Sequence, residues 1–68
     1  MMMYTEWIVE GYVGYTKHNL VLDGYDYPTQ DSAKKAASLI MLDKEGLDPI
    51  EDAGLPIIID IRPHSWVE

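Results

Sequence analysis

Four isoleucines lie within five consecutive positions near the end of the chain, in the stretch Leu-Pro-Ile-Ile-Ile-Asp-Ile at residues 55–61. β-branched residues at this density predict a strand, which Pro63 either ends or makes an edge strand. Residues 64–68 are predicted to follow it as a short tail. Because side chains alternate across a strand, one set must face a core. We predict two alternating sets: Ile57, Ile59 and Ile61 inward, and Ile58, Asp60 and Arg62 outward.

Two earlier segments alternate in the same way. In residues 4–15, Trp7, Val9 and Val13 share one side, and Tyr4, Glu6, Ile8, Glu10 and Tyr12 share the other. Gly11 and Gly14 interrupt this segment, and either can mark a bulge or a close packing contact. Residues 19–23 form the second predicted strand, and the polar residues 16–19 are predicted to be the hairpin loop between the two.

A helix is predicted over residues 30–45. Thr29 is a good N-cap and Gly46 a good residue to end the helix. One side of the helix is rich in alanine, which would let it lie close to a sheet. Leu39 and Leu42 lie off that side and need cover from the segment that follows. The inward stripe consists of Ala33, Ala36, Ala37, Ile40 and Met41.

These elements predict an α+β fold. We expect a three-stranded antiparallel sheet in β-β-α-β order, with strand order 2-1-3 and the main helix on one face. The 68 residues form a single domain, 1–68. A chain of this size buries only about 60% of its unfolded surface. Since it has no cysteine, disulfides and thiolate metal sites are excluded, and oligomerisation or partner binding is the simplest supplement.

The charge balance narrows the choice of partners. Twelve acidic residues stand against five basic ones, giving a formal charge of −7. Such a surface repels nucleic acid phosphates and anionic lipids and attracts basic proteins. No apolar run is long enough to span a bilayer, and the three methionines at the start lack the features of a signal peptide. We expect a cytoplasmic protein that binds neither nucleic acid nor membrane.

The outward side of the predicted sheet is the first candidate site. It mixes apolar and aromatic groups, which supply contact area, with carboxylates, which select a basic partner. The alternative is an ordinary exposed sheet face with scattered apolar residues. The predicted binding face comprises Tyr4, Glu6, Ile8, Glu10, Tyr12, Val21, Asp23, Tyr25, Ile58, Asp60 and Arg62.

The second candidate is the acidic segment, residues 43–52. An EF-hand calcium loop is excluded, because the fifth, sixth and twelfth positions counted from Asp43 are Leu47, Asp48 and Gly54. Two readings remain: a solvated run that caps helices, with Asp48 as N-cap and Glu51 as its capping-box partner, or an attractor for a basic surface that imitates nucleic acid phosphates. The carboxylates are Asp43, Glu45, Asp48, Glu51 and Asp52.

Catalysis is not expected. His64 follows Asp60 closely, and such a pair is one ingredient of acid–base chemistry, while His18 lies in the predicted hairpin loop. No nucleophile has a recognisable context and no glycine-rich phosphate loop is present. Two ligands do not make a metal site. We therefore predict no catalytic residues, no metal and no cofactor.

Residues 23–36, Asp-Gly-Tyr-Asp-Tyr-Pro-Thr-Gln-Asp-Ser-Ala-Lys-Lys-Ala, carry one family resemblance. This stretch is similar to the strand-to-helix junction of HicB-type antitoxins. The similarity covers about a fifth of the chain, and the remainder departs from that pattern. We therefore do not assign the chain to this family.

The functional hypothesis is a non-enzymatic protein-interaction module. It would act as a homodimer that binds or inhibits a basic protein surface, a profile shared by small acidic inhibitors from phages and mobile elements. This homodimer would form through the outward sheet face or through the exposed edge of the isoleucine strand. The alternative is a structural subunit that acts by self-assembly through the outward sheet face.

Overall fold

The computed structural model of the chain describes residues 3–67, so that Met1, Met2 and Glu68 of the predicted domain lie outside the described residues. The elements are β1 (Met3–Val13), β2 (Thr16–Asp23), α1 (Gln30–Lys44) and β3 (Pro56–Val67). The strands form one sheet in the order β2-β1-β3, with both pairings antiparallel. The helix packs on one side of this sheet, which confirms the predicted α+β fold and strand order.

A two-residue turn joins β1 to β2, and it is shorter than predicted. Gly14 has a φ of 60°, and no other residue of the turn has a positive φ. Glycine at the first central position is the pattern of a type II′ hairpin, whose twist matches the flanking strands. The prediction of a loop over residues 16–19 is therefore wrong. Those polar residues are the start of β2, since Thr16 already pairs with Val13.

Local capping fixes both ends of α1. The Thr29 side chain accepts the backbone N–H of Ser32, and the Ser32 hydroxyl accepts the backbone N–H of Thr29. This reciprocal box satisfies two donors that a helix start leaves free. Gly46 follows the last turn with a φ of 69°, a conformation that favours glycine. The predicted cap at Thr29 and stop at Gly46 are both confirmed.

The core lies between α1 and the side of the sheet that faces it. Small residues on the helix, including Ala33 and Ala37, are fully buried and keep its backbone close to the strands. Trp7 packs at the margin, and its indole N–H donates to the Tyr27 carbonyl at 2.7 Å. This bond ties the connection before α1 to the sheet. The buried cluster consists of Val9, Val13, Leu20, Leu22, Ala33, Ala37 and Met41.

A β-bulge in β3 changes which isoleucines face the core. Glu10 pairs with Asp60 and Gly11 pairs with Ile58, which leaves Ile59 without a partner. One extra residue reverses the alternation of the strand. Ile58 and Ile61 consequently pack against the core, while Ile57 and Ile59 are exposed.

The predicted sides are therefore wrong for three of the four isoleucines. Ile57 and Ile59 were predicted to face inward, and Ile58 was assigned to the predicted binding face. The prediction is confirmed for Ile61, which packs against the core, and for Asp60 and Arg62, which lie on the opposite side of the sheet.

Pro63 lies inside β3 and does not end it. The N–H of Gly24 donates to the Thr5 carbonyl at 2.8 Å, so Thr5 directs its polar groups toward β2. The direction of the backbone N–H and C=O groups alternates along an antiparallel strand, so those of Trp7, two residues after Thr5, also point toward β2. Pro63, opposite Trp7, would therefore direct its missing N–H outward from the free edge. The edge alternative for Pro63 is the correct one, and residues 64–67 belong to the strand.

We predict that the bulge makes Ile58 more important than Ile59 for stability. Ile58→Ala removes a side chain that packs on the core and should lower the free energy of unfolding by about 2 kcal/mol. Ile59→Ala, at a residue that is 53% exposed, should cost less than about 1 kcal/mol. Urea denaturation of the two variants measures the difference, and the opposite ranking would contradict the bulge.

We predict that Gly11→Ala is destabilising for a steric reason. A Cβ at Gly11 would lie 2.6 Å from the Ile57 carbonyl oxygen, which belongs to the backbone of the bulged strand. Forcing the two apart should cost about 1–3 kcal/mol. Gly54→Ala is the control, because no atom lies within 4 Å of its added Cβ. Equal unfolding free energies for the two variants would contradict the close approach at Gly11.

Candidate interaction surface

The side of the sheet opposite to α1 is not covered by any other element of residues 3–67, and we call it the open face. Nine members of the predicted binding face lie on it. Ile58 is excluded by the bulge, and Tyr25 projects from the turn after β2. Five further residues join through the strand registers. The open face consists of Tyr4, Glu6, Ile8, Glu10, Tyr12, Lys17, Asn19, Val21, Asp23, Ile57, Asp60, Arg62, His64 and Trp66.

Three carboxylates of the open face are paired with basic groups. Glu10 Oε1 lies 2.5 Å from Lys17 Nζ, and this hydrogen bond, together with the charge of Glu10, raises the pKa of Lys17. Glu6 Oε1 lies 3.1 Å from His64 Nδ1, and Asp60 pairs with Arg62. The open face is therefore less acidic than predicted.

Sequence reasoning missed two of these basic partners. Lys17 was assigned to a hairpin loop and His64 to a tail after the last strand. Both lie on strands, because the turn is shorter and β3 is longer than predicted. His64 contacts Glu6 and not Asp60, its neighbour in the sequence. The glycine at position 14 was the signal that could have placed the turn correctly.

An aromatic cluster occupies one end of the open face. Tyr4 and Trp66 are cross-strand partners, and their rings stack with centroids 5.6 Å apart and planes at 21°. The His64 ring lies 5.6 Å from the Trp66 ring. Aromatic pairs of this kind stabilise neighbouring strands. Here the pair also presents ring surface beyond the last residue of β2.

A concavity of about 750 Å³ lies beside this cluster, and we call it the end groove. The turn after β2 forms one wall. Asp23 Oδ1 accepts the backbone N–H of Tyr25 at 2.7 Å, which holds that turn, and Tyr25 is 91% exposed. The lining residues are Met3, Tyr4, Thr5, Glu6, Val21, Asp23, Gly24, Tyr25 and Trp66.

Carboxylates of the acidic segment hold local structure. Asp48 Oδ1 accepts the backbone N–H groups of Ile50 and Glu51 at 2.7 and 3.0 Å, and Asp52 Oδ2 accepts that of Asp48 at 3.0 Å. The segment after Gly46 is a series of turns and not a helix. Asp48 therefore caps a turn and not the predicted helix, and its reciprocal partner is Asp52 and not Glu51.

Glu45, the remaining structural carboxylate of the acidic segment, joins the helix end to the sheet. Its Oε1 forms a hydrogen bond of 2.7 Å with His18 Nε2, on the helix side of β2. The two histidines therefore lie on opposite sides of the sheet. Within residues 3–67, no group of three or more His, Cys, Asp or Glu side chains is arranged to hold a metal ion.

A second groove, of about 620 Å³, separates α1 from the turns that follow it. Leu42 forms part of its wall and is buried, whereas Leu39 is 52% exposed. Pro49 and Ala53 form the opposite wall. The expectation that the following segment covers both leucines is therefore correct for Leu42 and wrong for Leu39.

Comparison with protein-family models, with curated proteins and with solved structures finds no significant match to this chain. The local resemblance of residues 23–36 to HicB-type antitoxins does not extend to a family match. Among the described residues, 3–67, there is no helix whose length and hydrophobicity would allow it to cross a bilayer. Function is therefore inferred from the chemistry of the surface.

We predict that the Asp48 carboxyl titrates below its ordinary pKa of 3.8. The backbone N–H groups of Glu51 and Ile50 stabilise the charged form and lower the pKa. The associated stability is present above pH 3.8 and is lost as the pH falls through the lower folded pKa. Carbon-detected NMR titration measures the midpoint.

The control for this titration is Asp48→Asn, which keeps an acceptor oxygen without the charge. The protection of the Ile50 and Glu51 amides against hydrogen exchange, taken relative to the intrinsic exchange rate at each pH, should fall on acidification in the parent chain and should change less in the variant. A midpoint above 3.8 would contradict the capping role.

Proposed function

We propose that this chain is a small, non-enzymatic, cytoplasmic interaction module that binds and blocks a basic surface on another protein through its open face. One observation carries the proposal: a single helix covers one side of the sheet and leaves apolar and aromatic groups on the other side. In a chain with a formal charge of −7, such a face favours a basic partner.

The apolar groups of the open face form three cross-strand pairs along its length. Tyr4 pairs with Trp66, Ile8 with Val21, and Tyr12 with Ile57. Val21 and Ile57 are 63% and 61% exposed. Large apolar groups on a small surface tend to mark interaction sites, and tyrosine and tryptophan are frequent among the residues that dominate binding energy.

The charge of the whole chain also favours a basic partner. Acidic residues outnumber basic ones by twelve to five, and five of them lie in the acidic segment with one lysine. A field of this sign accelerates encounter with a basic protein and repels nucleic acid. Small acidic inhibitors from phages and mobile elements share this profile, so the specific hypothesis is a nucleic acid mimic that blocks a basic binding site.

A second candidate function is self-assembly through the open face. In residues 3–67, only eight hydrophobic side chains are buried, and a core of that size gains from a further interface. A homodimer across the open face would cover Val21 and Ile57 in both copies. In that case the chain would be a structural subunit, or an inhibitor that presents the acidic segment.

We predict that Val21→Lys weakens partner binding at least about tenfold, as expected for loss of a central apolar contact. The control is Leu39→Lys, which makes the same change of charge at a similarly exposed leucine on α1. The partner is first identified by co-purification from the native host, and its dissociation constants are then measured for both variants.

Three outcomes separate the candidates. Selective loss of binding in Val21→Lys supports the proposed face. Equal effects of the two variants would mean that only net charge matters, and no effect of either would contradict the open face. Sedimentation of the chain alone decides on self-assembly: a salt-independent dimer that Val21→Lys dissociates favours the structural role.

A further inference from the structure

We infer that the end groove receives an arginine side chain of the protein partner, an inference that rests on the proposed function and names the chemistry of its contact. Three observations on separate parts of the groove lead to this assignment. They are a pair of opposed carboxylates, a set of aromatic rings and an apolar floor that opens to solvent.

The carboxylates are Glu6 and Asp23, which are direct cross-strand partners on the open face. Like charges at directly opposite positions destabilise a sheet. Both side chains are anchored from the side, Glu6 by His64 at 3.1 Å and Asp23 by the N–H of Tyr25 at 2.7 Å. A cation placed between them would remove the repulsion while leaving both anchors intact.

The aromatic rings define the kind of cation. Tyr4 and Trp66 stack on each other, and the exposed ring of Tyr25 lines the same concavity. A guanidinium is planar, stacks on aromatic rings and presents several N–H donors that match carboxylates. An ammonium is a compact, strongly hydrated charge that gains less from such walls. The groove therefore favours arginine over lysine.

The shape of the groove admits a side chain from another protein. Its volume of about 750 Å³ lies in the range of small ligand sites. Val21 contributes an apolar surface against which the methylene groups of arginine can pack. β2 ends at Asp23, which pairs with Glu6. Residues 3–5 of β1 therefore border the groove beyond the end of β2.

The test is a titration of the isotope-labelled chain with N-acetyl-arginine amide, followed by NMR. We expect saturable shifts at the Glu6, Asp23 and Gly24 amides and at the Trp66 indole. N-acetyl-citrulline amide has nearly the same shape without the charge, and it should bind at least roughly fivefold more weakly, the scale of a partly exposed charge pair. Equal binding of the two compounds would overturn the inference.

Two matched variants locate the site. Asp23→Asn removes one charge but keeps an oxygen for the Tyr25 N–H, and it should weaken arginine binding roughly fivefold. Asp31→Asn makes the same charge change in the first turn of α1, outside the open face, and should leave binding unchanged. Equal effects of the two variants, or shifts confined to the acidic segment, would show that arginine follows the general field and not the groove.

The arginine titration and the partner-binding measurement together distinguish failure of the arginine site from failure of the proposed function. If Val21→Lys abolishes partner binding but the arginine compound does not shift the groove, the inference fails and the open face keeps its role. If the compound binds the groove but no basic protein is captured, the groove is an arginine site and the proposed inhibitor function fails.

Discussion

The close contact between α1 and β1 at Gly11 is the constraint on which the rest of the structure depends. At this point the bulged backbone of β3 and the Met41 side chain both approach a position with no Cβ, at distances of 2.6 and 3.3 Å from where that atom would be. Ala33 and Ala37 of α1 are fully buried against the sheet. The single helix thereby seals one side of three strands, and no further element of residues 3–67 covers the other side.

The uncovered side divides its chemistry along the length of the molecule, whose longest dimension is 43 Å. The aromatic cluster and the end groove lie where Tyr4 meets Trp66. The acidic segment lies at the opposite end, because it leads from α1 to the start of β3, where Pro56 pairs with Val13. The acidic segment can therefore attract a basic partner over a distance, while the aromatic cluster and the end groove contact it directly. The ion pairs between them, such as Glu10 with Lys17, occupy charged groups that would otherwise oppose an apolar contact.

The sequence predicts those features of this fold that depend on local chemistry. Thr29 and Gly46 mark the helix ends because caps and positive φ values are properties of one or two residues. The bulge could not be placed in the same way, since three consecutive isoleucines look alike in either register and only pairing with β1 distinguishes them. Gly11 was the available signal, as a glycine in a strand often marks a bulge. Because the ends of β2 and β3 were predicted wrongly, the predicted binding face lacked Lys17, His64 and Trp66.

The most direct test of a sheet sealed on one side compares methionine oxidation in the native chain. Met41 is fully buried beneath the helix, and Met3 is 70% exposed at the far end of β1. Brief hydroxyl-radical exposure followed by mass spectrometry measures both side chains in one molecule, with Trp66 as a reporter of the open face. This arrangement predicts that Met41 is oxidised much more slowly than Met3 and that Trp66 is modified readily in dilute solution. Oxidation of Met41 at the rate of Met3, or protection of Trp66 in the monomer, would contradict it.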